Sequence, residues 1–124
     1  MRDKPGALAW SELATTDVGG AKAFYAGVFG WECETSDGEY TVFRGPAARF
    51  GGIYPLTPED GVAPCWVPFF AVDDADAAAG KAAALGGAVI AEPGELPGVG
   101  RIALIEDPQG ALFQVIRMET GAQG

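Results

Sequence analysis

Trp66-Val67-Pro68-Phe69-Phe70-Ala71-Val72-Asp73-Asp74 is an apolar stretch running into two acids, the pattern of a buried strand followed by a helix start. Ala9-Trp10-Ser11-Glu12-Leu13-Ala14-Thr15-Thr16-Asp17 has the same form when Asp17 is laid on Asp74. The alignment then sets Ala21, Tyr25 and Val28 on Ala78, Ala82 and Leu85, and Gly30 on Gly87. Identity between the copies is low, but their periodicity agrees, as it does when one supersecondary unit is used twice. Each copy has about 55 residues, too few to bury an adequate core alone, so the two are expected to fold as one domain.

The chain in order supports this division. Leu8 to Leu13 reads as a strand, and Thr15-Thr16-Asp17 as a helix cap. A helix from about Val18 to Phe29 places Ala21, Phe24, Tyr25 and Val28 on one stripe, with Phe24 and Phe29 expected to fill the core. Gly19 and Gly20 weaken its first turn, and Gly30 ends it. Strands follow over Trp31–Thr35, Tyr40–Arg44 and Phe50–Tyr54, with a turn at Ser36-Asp37-Gly38. The first module thus covers about 6–55, and a linker about 56–64. The second, about 65–118, repeats the order: a strand over Cys65–Val72, an alanine-rich helix to Leu85, then strands over Ala88–Glu92, Arg101–Glu106 and Ala111–Arg117. Residues 119–124 form a frayed tail. Two tandem βαβββ modules predict an α+β fold with curved mixed sheets and helices on one face.

Composition narrows the function. A chain of 124 residues with 48% hydrophobic residues and 20% charged ones reads as a globular domain. No apolar run nears the ~20 residues of a membrane span and no signal-peptide pattern opens the chain, so cytoplasm is the expectation. A net charge of −9 with eight Lys and Arg lacks the basic footprint of a nucleic-acid partner. The chain has no histidine, which removes the usual general base and metal ligand and the Ser-His and Cys-His pairs. Cys33 and Cys65 lack CxxC spacing and read as small buried residues, although their pairing stays open. Asp73, Asp74 and Asp76 suit the positive end of a helix dipole.

Four fragments carry a family resemblance: Phe24-Tyr25 with Val28-Phe29-Gly30-Trp31, Leu85-Gly86-Gly87, Pro97-Gly98-Val99-Gly100-Arg101 and Asp107-Pro108-Gln109-Gly110. In this order and spacing they resemble the vicinal oxygen chelate superfamily of glyoxalases, ring-cleaving dioxygenases and bleomycin-resistance proteins. The resemblance implies eight strands around a concave pocket, in a chain that commonly pairs as a dimer. It also implies divalent-metal ligands at Trp10, Val67 and Gln114 and near Gly51 to Ile53. An indole, a valine and a glycine offer no lone pair to a cation, and one amide cannot replace four ligands. No metal and no cofactor are therefore expected.

If the ligand-bearing face is the concave one, strand alternation puts Trp10 and Glu12 on it, and Phe69 and Gln114 likewise. Phe43, Phe50, Tyr54 and Trp66 are further candidates for the ligand site. Aromatic faces suit planar unsaturated ligands, while Glu12 and Gln114 can fix orientation. The reading is a metal-free protein that sequesters a hydrophobic, planar aromatic compound such as an antibiotic, as the resemblance to the bleomycin-resistance branch implies. The alternatives are an enzyme of the same fold with Glu12 as acid or base, and a ligand-free subunit whose aromatics serve dimerisation.

Overall fold

The computed structural model describes residues 4–35, 40–96 and 99–118. The expected turn at Ser36-Asp37-Gly38, the dipeptide Pro97-Gly98 and the tail from residue 119 lie outside these residues. Among them are eight strands and two α-helices: β1 (Leu8–Thr15), α1 (Val18–Phe29), β2 (Glu32–Thr35), β3 (Thr41–Arg44), β4 (Arg49–Pro55), β5 (Cys65–Ala71), α2 (Ala75–Ala84), β6 (Ala88–Leu96), β7 (Gly100–Glu106) and β8 (Leu112–Met118). This is the α+β order of two βαβββ repeats. The chain divides into two compact units, Trp10–Val67 and Pro68–Gly124 together with Met1–Ala9.

In the first unit the strands lie in the order β2-β3-β4-β1. β1 runs parallel to β4, pairing Ser11 with Gly51, Glu12 with Gly52 and Leu13 with Ile53, while β3 is antiparallel to β4. Helix α1 starts where the Asp17 carboxylate accepts the Gly20 N–H at 2.9 Å. A Cβ on Gly20 would collide with that carboxylate, so the glycine that weakens the turn by propensity also lets the cap close. Gly30 ends the helix at φ 75°, donating its N–H to the Ala26 carbonyl.

The core of this unit holds Leu13, Phe43 and Ile53, with Val18, Ala21, Tyr25, Trp31, Cys33 and Phe50 packed around them. Only part of the expected helix stripe reaches it. Phe24 is 60% exposed and Phe29 58%, contrary to their assignment to the core. Val18, Ala21 and Tyr25 already form the sheet-facing row, and Phe24, one residue before Tyr25, lies about 100° around the helix from it. Both cysteines are free thiols, and Cys65 is exposed where a buried residue was expected.

The second unit has the order β5-β8-β7-β6. Its segment before β1 belongs here too: Gly6 donates to the Ala71 carbonyl and Ala71 to the Ala7 carbonyl, each at 2.8 Å. Ala75 and Ala79 of α2 pack on Ala103, Ile105 and Val115. The Asp74 carboxylate caps α2 by accepting the Ala77 N–H at 3.0 Å, while Asp76 is held by the Arg101 guanidinium at 2.8 and 3.0 Å. Strand β6 continues to Leu96, past Pro93 and Gly94, where the sequence suggests a stop. It is the outermost strand of its unit and is bulged between Val89 and Gly94, so a residue without an N–H costs the ladder little. At Asp107-Pro108-Gln109-Gly110, one carboxylate oxygen accepts the N–H groups of Gln109 and Ala111, both at 2.9 Å.

Candidate functional site

Period-two alternation sorts the β1 side chains of the first unit. Leu13 points into the core beneath α1, so Trp10, Glu12 and Ala14 stand on the opposite face. Gly52 lies beside Glu12 on the neighbouring strand, and Tyr54 beside Ala14. Tyr40, two residues before Val42 (the β3 partner of Gly52), swings over the same ground. A Cβ built on Gly52 would meet the Tyr40 hydroxyl and ring. The absence of a side chain at 52 is thus what allows the phenol to lie flat on the strand.

Trp10, Tyr40 and Glu12 form a directed chain of hydrogen bonds. Trp10 Nε1–H donates to the Tyr40 hydroxyl oxygen at 3.3 Å, and the Tyr40 O–H donates to Glu12 Oε2 at 2.8 Å. An indole nitrogen can only donate, so the phenol oxygen receives from Trp10 and passes its own proton toward the carboxylate. Burial raises the Glu12 carboxyl above its ordinary 4.5, and the Tyr40 hydrogen bond partly offsets this. Burial and the charge of Glu12 likewise push the Tyr40 phenol well above its usual range. Tyr40 therefore stays protonated as a donor, and Glu12 is the titratable end.

Several expected members sit elsewhere. Phe43 is fully buried on the α1 side of the sheet, the wrong face for a ligand shared with Trp10. Phe50 should follow Trp10 by strand parity, but a bulge between Phe43 and Arg44 turns it to the α1 side, where it stacks on Phe43 at 5.9 Å. Trp66 donates its indole N–H to the Tyr25 hydroxyl at 3.2 Å and packs edge-on against that ring, within the α1-side aromatic cluster. Tyr54 stays on the Glu12 face with 48% of its surface exposed. In the second unit Phe69 is buried beside Gln114, its partner across β5 and β8, on the face away from α2. Tyr40 is the member that sequence reading left out. Counting back by two from Val42 would have placed it, had its strand partner been known.

The family's metal positions fail a donor test. Trp10 uses its only polar atom as a hydrogen-bond donor, Val67 has none, and Gly52 is covered by Tyr40. Among the described residues no group of three or more His, Cys, Asp or Glu could hold a metal ion. This donor set does not fit a divalent cation. The second unit carries an apolar groove of about 330 Å³ between α2 and its sheet, lined by Ala78, Ala82, Leu85, Ile105 and Phe113 among others. None of the expected ligand residues lines it.

Residues 7–115 match the Glyoxalase/Bleomycin resistance protein/Dioxygenase superfamily, and the chain belongs to it. It is 46% identical over 119 residues to the candidate glyoxylase CFP32 of Mycobacterium tuberculosis, covering 93% of this chain and 45% of that protein. It is 34% identical over 133 residues to the anthracycline biosynthesis protein DnrV of Streptomyces peucetius, covering 94% of this chain and 48% of that one. The chain therefore spans about half the length of these curated relatives. Among solved structures, methylmalonyl-CoA epimerase from Mycobacterium tuberculosis shares the fold with a TM-score of 0.62 at 18% identity, covering 90% of this chain and 89% of that one. No helix among the described residues is long and apolar enough to cross a membrane.

Proposed function

We propose that this chain is a metal-free binding protein that sequesters a hydrophobic, planar aromatic small molecule, such as an antibiotic. The observation that carries the reading is the Trp10–Tyr40–Glu12 chain, which stands where the superfamily would begin a metal site. It offers an aromatic surface next to a single ionisable oxygen pair, a combination suited to stacking and orienting a flat ligand. The relative named for anthracycline biosynthesis accords with a polycyclic aromatic ligand. No cofactor takes part in this reading, and Phe69 and Gln114 are proposed as ligand residues of the second unit, taken by itself.

A second reading, an enzyme with Glu12 as acid or base, is favoured by the raised Glu12 carboxyl, which moves toward the range useful for proton transfer. The relative named as a candidate glyoxylase points the same way. Titration with polycyclic aromatic compounds separates the two. Sequestration predicts saturable quenching of tryptophan fluorescence, recovery of the ligand unchanged, and binding weaker by ~2–4 kcal/mol in Trp10→Ala. A ligand consumed by the native protein, but not by Glu12→Gln, would establish the enzyme instead.

We also propose a homodimer. Phe24, Val28 and Phe29 expose an apolar strip on α1 that a second copy would cover.

A further inference from the structure

We propose that the second carboxylate oxygen of Glu12, the one Tyr40 does not hold, is an anchoring acceptor for a ligand hydroxyl, selecting phenolic aromatics over their ethers, and that Tyr40 is the residue that positions it. This inference rests on the binding reading above and names the chemical group that the site reads.

The geometry leaves one oxygen for the task. Glu12 Oε2 accepts the Tyr40 hydroxyl at 2.8 Å, while Oε1 has no partner among the described residues. Among the described residues no side-chain oxygen or nitrogen is both sealed from solvent and without a hydrogen bond, so an unpartnered Oε1 is not sealed in the core. The direction of the chain is fixed by Trp10, which can only donate. Two donors in series thus end on a carboxylate whose second oxygen has no partner among the described residues. Such an end is completed by one more donor, and the donor of a flat apolar molecule is a phenolic O–H. Hydrogen bonds to an ionised carboxylate are short and about twice as strong as neutral ones. An aryl methyl ether has no proton to give and leaves the oxygen unmatched.

The groups bearing on Glu12 are few. Burial and the Tyr40 hydroxyl account for its shifted carboxyl, and the strand beside it contributes Gly52, with no charged group. Anchoring requires the ionised form, so phenol binding should weaken as pH falls through the Glu12 pKa. The Tyr40 hydrogen bond holds that pKa down against burial, and removing it should move the midpoint up.

The test uses 2-hydroxyanthracene and 2-methoxyanthracene, followed by fluorescence titration from pH 4 to pH 8. Native protein should bind the hydroxyl compound at least about tenfold more tightly at pH 7, in line with a charge-assisted hydrogen bond. Its affinity should fall on acidification while that of the ether stays level. In Tyr40→Phe, which keeps the ring over Gly52, the midpoint of that fall should shift to higher pH. In Glu12→Gln the pH dependence should vanish while stacking persists. Equal binding of phenol and ether overturns the anchoring role alone. A midpoint unmoved in Tyr40→Phe overturns the positioning role. Binding of neither compound overturns the sequestration reading and this inference with it.

Discussion

Gly51 and Gly52 are adjacent on β4, yet an alanine at each should fail for a different reason. A Cβ on Gly51 would run into the Ser11 carbonyl of the neighbouring strand, and backbone held in a parallel ladder cannot step aside. A Cβ on Gly52 would run into the Tyr40 hydroxyl and the ring carbon Cε2, the far end of a side chain that can swing out. Gly51→Ala must therefore spread β1 from β4 or overpack the sheet, a cost of about 3 kcal/mol or more, at the upper end of overpacking. Gly52→Ala loses the hydrogen bonds that Tyr40 makes with Trp10 and Glu12 instead, at about 1 kcal/mol each, or about 2 kcal/mol together. Urea denaturation of both variants measures the difference, and Trp10 emission reports the loss of its N–H partner only in the second. A double-mutant cycle completes the assay. Tyr40→Ala should absorb most of the cost of Gly52→Ala and none of that of Gly51→Ala. Equal costs for the two glycines, or no coupling between Gly52 and Tyr40, would refute the placement of Tyr40 over the strand.

Glu12→Gln should be more stable than native protein at pH 7, with the gap closing toward pH 4. The native carboxyl is raised above 4.5, so the folded state holds its proton longer than the unfolded chain. Stability is then lost as pH rises from about 4.5 through the raised value, and glutamine is immune to that loss; chemical denaturation across this pH range checks it. Desalted protein should carry well under one equivalent of zinc, nickel, iron or manganese by elemental analysis, since its donor set does not suit them. Light scattering at micromolar concentration should give a dimer, and Phe24→Glu with Phe29→Glu should shift it to monomer by setting like charges on the exposed strip.

The fold was legible where its determinants are local. Asp17 and Asp74 accept hydrogen bonds from the first helical turns, Gly30 supplies a left-handed cap, and Asp107 closes its own turn. Each of these depends on residues within four positions, and the spacing between them repeats, so the two βαβββ repeats and the family could be read from one chain. That the side chains of Trp10 and Val67 offer a cation no lone pair was legible too, because residue type alone decides whether an atom can coordinate.

What sequence could not decide depends on partners far along the chain. Phe50 was one of several aromatics that could have joined the ligand face, and one bulge opposite Arg44 turned it to the α1 side. Trp66 went to Tyr25, 41 residues distant, and Tyr40 reached across 28 residues to Glu12. A period of two assigns a side chain to one of two faces but does not say which face a helix covers or where a bulge resets the count. Only the packed sheet, with α1 on one side of Leu13 and Phe43, separated the core aromatics from the Trp10–Tyr40–Glu12 chain.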